Sequence, residues 1–215
     1  MLTGRGLRLA FGAAQALDDV DLSVAPGEVV AVVGPAGCGK STLLHVLSGV
    51  LVPDGGLVTF EGQELNGLSD DARSAIRLRR FGFVFESGDL IPELSLRENV
   101  ELPLRLQGRR DSAAGLLKEL DLVDVADRLP WEVPDDQVLR AAVARALVHD
   151  PAVVFADEPV MAVGDAAGEL LLDAFTGAAR RRDAAIVLAT RQARVAAYAD
   201  RTVFLHDGRP ADSPI

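Results

Sequence analysis

Long apolar runs are missing from this sequence. The longest, such as Val29–Val33 and Ala184–Ala189, extend five or six residues. A bilayer-spanning helix needs about 20, so the chain is not expected to cross a membrane itself. No charged-then-apolar leader precedes the first strand-like segment, which argues against secretion. Cysteine is nearly absent. Cys38 stands alone, so no internal disulfide can form, as fits a reducing compartment. Basic residues number 22 against 32 acidic ones, a net charge of −10. Phosphate backbones are bound through Lys and Arg, so no nucleic-acid partner is expected. Lysine is scarcer still: Lys40 and Lys118 are the only two, and every other basic residue is Arg. Repeats and low-complexity stretches are also lacking. What remains is 49% hydrophobic and 25% charged over 215 residues. That composition and length describe a folded globular chain of one large domain or two small ones.

The first sixty residues read as short β runs. Leu7–Phe11 alternates, Gly12 interrupts, and Leu17–Val24 alternates again. Pro26-Gly27 signals a turn. Val29–Val33 is a continuous β-branched run of the kind buried on both faces of a sheet. Leu43, Leu44, Val46, Leu47 and Val50 then recur at helical spacing, with Gly49 and Pro53 as stops. Leu57–Phe60 reads as a strand, Asp70–Arg80 as a polar helix and Phe81–Phe85 as a strand. From about Ser87 to His149 the pattern is mainly helical, over Leu94–Leu106, Ser112–Leu120 and Gln137–Val148. Strands at Ala152–Ala156, Ala184–Ala189 and Arg201–Leu205 then alternate with helices at Ala166–Arg182 and Gln192–Tyr198, as in parallel βαβ units. The tail Asp207–Ile215, with two prolines, is expected to be loose.

Two motifs carry chemistry. Gly34-Pro35-Ala36-Gly37-Cys38-Gly39-Lys40-Ser41-Thr42 matches G-x-x-x-x-G-K-[ST] between a strand and an apolar-periodic helix. Its glycines let the backbone curl so that N–H groups face inward, and the helix presents its positive end to the same spot. Lys40 can reach the β- and γ-phosphates, and Ser41 can offer a hydroxyl to Mg²⁺. Cys38 reads as a small loop residue. The second motif is the apolar strand Val153–Ala156 running into Asp157-Glu158-Pro159. A carboxylate at that strand end is the metal-side partner of a phosphate loop. Asp157 is the Mg²⁺ candidate, and Glu158 is placed to polarise a water for in-line attack.

With both motifs and a helical insert between them, the chain resembles the nucleotide-binding subunit of ABC transporters over almost its whole length. It is most similar to the branch serving lipoprotein-release, macrolide-export and cell-division permeases, on Ala16–Val20, Phe81–Phe85 and Leu90–Leu104. The resemblance implies an α/β fold: a phosphate-loop NTPase core with a parallel sheet, an N-terminal antiparallel β subdomain and a helical insert. It implies one ATP-binding domain over 1–215, with 1–86 and 150–215 as core and 87–149 as helical subdomain. It also implies ATP and Mg²⁺ as ligands, and Phe11 as the ring that stacks on adenine; a buried strand phenylalanine is the other reading. Two such subunits, as a homo- or heterodimer, would pair head to tail. Each ATP would lie between one phosphate loop and the other subunit's signature. Closure would move an integral membrane permease from the cytoplasmic face.

Four positions depart from that family's pattern. The glutamine that touches Mg²⁺ and the attacking water is here Glu86, which can still ligate the ion. The signature Leu-Ser-Gly-Gly-Gln is here Val133-Pro134-Asp135-Asp136-Gln137, aligned by Arg140, Ala142, Ala144, Arg145, Ala146 and Leu147. Pro134 has neither hydroxyl nor N–H. Asp135 and Asp136 are expected to cap the following helix with their own carboxylates, where a partner's phosphate should sit. Two unit charges about 5 Å apart, at an effective dielectric of about 20, repel by roughly 3 kcal/mol. The histidine that meets the γ-phosphate is replaced by Arg191, behind Thr190. Arg191 can bind phosphate but cannot act as a tunable proton partner. The Asp that links the two sites falls one place late, at Asp165 after Val163-Gly164. His45, His149 and His206 are expected to be structural or exposed. ATP binding is thus expected to survive with hydrolysis weak. The alternatives are a fully active transport ATPase, which Glu158 supports, and a nucleotide-gated signalling subunit of a membrane complex.

Overall fold

A computed structural model describes residues 1–213. The N-terminal alternation begins earlier than its apolar pattern predicts. β1 (Leu2–Phe11) pairs antiparallel with β2 (Ala14–Val24), burying Leu2, Leu7, Leu9, Leu17, Val20 and Leu22. β3 (Val29–Val33) is buried at every position, as its β-branched run predicts. α1 (Lys40–Leu47) follows directly. β4 (Gly55–Phe60) and the short β5 (Gln63–Glu64) complete an antiparallel sheet ordered β2-β1-β4-β5. β5 has no pattern of its own and forms only because the Glu61-Gly62 turn returns the chain onto Thr59 and Phe60.

α2 (Asp70–Arg80) has the predicted bounds, and its Ser69 cap accepts from the Ala72 N–H at 3.3 Å. β6 (Phe81–Val84) is followed by α3 (Leu96–Leu106), which starts two residues after Leu94 because Ser95 and Glu98 form a reciprocal capping box. α4 (Ala114–Glu119), α5 (Asp135–Leu147), β7 (Val153–Asp157), α6 (Asp165–Arg180), β8 (Ala185–Thr190), α7 (Ala193–Ala196) and β9 (Arg201–His206) follow in order. The tail is not wholly loose. β10 (Arg209–Ala211) pairs antiparallel with β9, anchored by Arg209 on Asp18 at 2.6 Å. Pro214 and Ile215 lie outside the described residues.

The second sheet has the order β10-β9-β3-β8-β7-β6, parallel except for β10. Successive side chains on its strands point to opposite faces. Val30, Val32, Phe155, Val187 and Ala189 pack with α1 and the antiparallel sheet. Val154, Ala156, Ile186 and Leu188 pack with Leu96, Val100, Leu139, Val143 and Phe175. The mainly helical stretch therefore shares one apolar core with the parallel sheet. α5 lies so close to β6 that a Cβ on Gly82 would stand 2.2 Å from the Ala146 carbonyl oxygen. Among the described residues, no helix is long and apolar enough to cross a membrane.

His149, just past α5, is buried, with Nε2 at 3.0 Å from the Phe81 carbonyl and Nδ1 without a partner. Burial pushes its pKa below the usual histidine value, against the opposing pull of that carbonyl. A folded-state value below the unfolded one of about 6.5 means that the unfolded chain binds the extra proton first. The stabilisation is full above about pH 6.5 and is lost as pH falls toward the folded-state value. Denaturant unfolding of the wild type is therefore expected to weaken more steeply below pH 6.5 than that of His149→Gln. Parallel pH curves for the two proteins would contradict this.

Candidate functional site

The C-terminal ends of β3, β6, β7 and β8 emerge on one side of the parallel sheet, and each releases a loop toward the same crevice. β3 releases the phosphate loop. Gly39 caps α1 with φ 103°, and a Cβ there would meet the Ala16 carbonyl at 2.3 Å, so only glycine fits. Lys40 follows as the first helical residue. It is only 6% exposed, and its Nζ donates to the carbonyls of Gly34 at 2.9 Å and Pro35 at 2.8 Å. Cys38 is buried behind it, with Sγ at 4.0 Å from Nζ. Burial pushes the thiol up, partly offset by the Lys40 ammonium, so it stays protonated at neutral pH. That agrees with its reading as a small loop residue.

A cavity of about 450 Å³ opens over this loop. Ala36, Gly37, Lys40 and Ser41 line it from the loop side. Glu86 after β6, Asp157 and Glu158 at the end of β7, and Arg191 after β8 line it from the other strands. Gly34 and Pro35 border a smaller adjoining hollow that Arg191 shares. Thr42 is half-buried in the first turn of α1. His45, one helical turn beyond Ser41, also lines the cavity. The sequence reading missed that role, although the i, i+4 spacing from Ser41 places both on one helix face.

Ser41, Glu86 and Asp157 contribute hydroxyl and carboxylate oxygens to one cavity, the hard donors that suit Mg²⁺. Among the described residues no three His, Cys, Asp or Glu side chains gather into a metal cage. An ion that shares its coordination with substrate phosphates needs none. The loop after Glu86 is held from α5. Arg145 donates to the carbonyls of Gly88 at 2.7 Å and Asp89 at 2.6 Å.

Glu158 is buried, in the left-handed backbone region at φ 46°, with its N–H on the Ala189 carbonyl at 2.9 Å. That conformation is uncommon for a non-glycine residue. Its carboxylate is engaged by Arg191, Nε to Oε1 at 3.1 Å. The sequence reading considered Arg191 only as a phosphate ligand. Here the guanidinium is bound to the general-base candidate.

One of the two readings of Phe11 falls away, and one further expectation needs correction. Phe11 is not a buried strand residue: it is 56% exposed at the end of β1, on the hairpin whose return strand abuts Gly39. Its ring is open to stacking. The aspartates of the signature do not cap α5 through hydrogen bonds. Pro134 occupies the cap position, Asp135 and Asp136 lie in the first turn, and Asp136 turns to Arg140 at 3.5 Å. The cap falls to Pro134 because proline's fixed φ, here −62°, suits entry into a helix while its side chain accepts nothing. Both carboxylates still lie at the positive end of the helix. Val133 packs against the core, and Gln137 keeps a buried Oε1 without a partner. None of Val133, Pro134, Asp135, Asp136 or Gln137 lines the cavity of its own chain. Asp165 opens α6 and pairs with Arg194 at 2.5 Å.

A parallel sheet, a glycine-rich loop with a buried lysine at a helix start, and a strand-end Asp-Glu pair in one cavity define a phosphate-loop NTPase. The ABC transporter family profile matches residues 17–161. The chain is 39% identical over 217 residues to the lipoprotein-releasing system ATP-binding protein LolD 2 of Caulobacter vibrioides, covering 97% of this chain and 95% of that one. It is 36% identical over 197 residues to the ABC transporter ATP-binding protein YtrE of Bacillus subtilis, covering 89% and 85%. Its structure resembles the dimeric bacterial ABC transporter cassette MJ0796 at TM-score 0.89 and 31% identity over 98% of both chains. The chain belongs to the ABC transporter family, as one of its ATP-binding subunits.

Proposed function

We propose that the chain binds Mg-ATP in the cavity over the phosphate loop, hydrolyses it weakly, and couples that binding to an integral membrane permease. The relatives named for lipoprotein release point to a permease of that class, with this subunit on the cytoplasmic face and a second ATP-binding subunit paired to it. Phe11 stacks on the adenine, Lys40 and the loop N–H groups take the phosphates, and Ser41, Glu86 and Asp157 hold Mg²⁺. When bound, that ion neutralises phosphate charge and orients the triphosphate. Residues 1–86 and 150–215 act as the nucleotide-holding body. Residues 87–149 carry the signature Val133–Gln137 to the partner's nucleotide.

In hydrolysis a water oxygen bonds to the γ-phosphorus, the bond to the bridging oxygen breaks, ADP leaves with the electron pair, and Glu158 takes the water proton. Glu86 adds negative charge where the nucleotide must sit, and Arg191 holds Oε1 of Glu158 in place of the family's histidine. The observation that carries the reading is one cavity holding Lys40, Ser41 and Asp157 together with a Glu158 already bound to Arg191. Nucleotide binding and phosphate release measured on one preparation, alone and with the permease, are expected to give ATP binding with slow release. Release on the order of one per second or faster at each site would instead make the chain a fully active transport ATPase.

A further inference from the structure

Glu158 and Arg191, 33 residues apart in sequence, meet where β7 and β8 end. Both oxygens of the carboxylate are engaged by its own chain. Oε1 accepts from Arg191 Nε at 3.1 Å. Oε2 accepts from the Arg191 backbone N–H and from the Thr190 hydroxyl, each at 3.3 Å. The far end of the guanidinium is steadied too, with Nη2 at 3.0 Å from Met161 Sδ. The Glu158 side chain is 11% exposed and that of Arg191 39%, so the arginine forms the solvent-facing side of the pair. It faces the same cavity as Lys40 and Ser41.

When a triphosphate enters that cavity, its terminal phosphate joins the carboxylates of Glu86, Asp89, Asp157 and Glu158, of which Glu158 is the one held by Arg191. A diphosphate brings no such neighbour. A guanidinium has five N–H donors, so Nε can stay on Glu158 while the outer donors face phosphate oxygens. A water aimed at the γ-phosphorus, by contrast, has to share a carboxylate oxygen with Arg191 or Thr190.

We propose that Arg191 is a positioning residue that clasps Glu158 and screens its carboxylate from the terminal phosphate, so that the site retains ATP over ADP and delays hydrolysis. The proposal rests on the reading that this cavity binds ATP.

A double-mutant cycle on nucleotide affinity tests it, with ATP and ADP titrated against wild type, Arg191→Ala, Glu158→Gln and the double variant. Arg191→Ala is expected to weaken ATP about tenfold and ADP much less, because it leaves an unscreened carboxylate beside the third phosphate only. Adding Glu158→Gln is expected to return most of the lost ATP affinity. The coupling should be confined to ATP. If the double variant binds ATP no better than Arg191→Ala, or both nucleotides weaken alike, Arg191 serves only the local fold and the proposal is wrong. If wild type binds neither nucleotide, the underlying reading fails and the clasp with it. Arg191→Lys, which keeps the charge and loses the Nε contact, is expected to fall between wild type and Arg191→Ala. A loss equal to that of Arg191→Ala would place the effect in geometry alone and overturn the screening argument.

Discussion

Lys40→Ala is expected to lower ATP affinity by about a hundredfold, roughly 2.7 kcal/mol, the scale of one or two charge-assisted hydrogen bonds to phosphate. Lys40 is the only lysine at the cavity, and its ammonium lies 2.8–2.9 Å from two loop carbonyls. Those contacts set the side chain's direction without nucleotide. On binding, the charge transfers from neutral carbonyl oxygens to phosphate oxygens, a stronger acceptor set. Alanine removes the charge and leaves the loop glycines in place, so the fold should persist. Calorimetric titration reads the affinity. Thermal unfolding gives an independent measure, since ATP at about 100 times its Kd should stabilise the wild type by about 2.7 kcal/mol and the variant hardly at all. Equal affinity in both proteins would remove the phosphate-loop assignment.

Returning the departures to the family pattern is expected to raise phosphate release by about a hundredfold or more, the usual range for a restored general-base arrangement. The variant combines Glu86→Gln, Pro134→Ser, Asp135→Gly, Asp136→Gly and Arg191→His, assayed as the assembled complex with its permease. Each change acts on a different obstacle. Arg191→His frees Oε1 of Glu158 and supplies a group that can exchange a proton. Glu86→Gln removes a negative charge from the cavity. The changes at 134–136 remove two carboxylates from the positive end of α5 and restore N–H and hydroxyl donors there. Loss of the Asp136 pair with Arg140 is a surface effect of about 0.5 kcal/mol or less. Steady-state phosphate release unchanged from wild type would show that these positions do not limit turnover.

Most of the architecture could be read from the sequence because period and punctuation agree there. The β-branched run at Val29–Val33 and the helix over Asp70–Arg80 each name their own element. The phosphate loop and the Asp157-Glu158 strand end were legible for the same reason: contiguous residues carry both. What was not legible depends on contact between distant segments. β10 contains Pro210, which local rules read as loose chain, and it pairs only because β9 and Asp18 are there to receive it. The Arg191–Glu158 pair joins two loops that sequence spacing cannot bring together, whereas the register of β7 against β8 does, by aligning Asp157 with Ala189. The cap of α5 was misassigned because aspartate's general preference for that place lost to a proline one position earlier.

The thirteen residues of α5 form a rod about 20 Å long. At its near end stand Asp135 and Asp136; at its far end Arg145 grips the backbone of Gly88 and Asp89, two and three residues past Glu86. Between rod and sheet at Gly82 there is no side chain to yield. Asp135 and Asp136 and the loop after Glu86 are thus held at the two ends of one helix. A tilt of this helix would carry its acidic tip and the altered loop together.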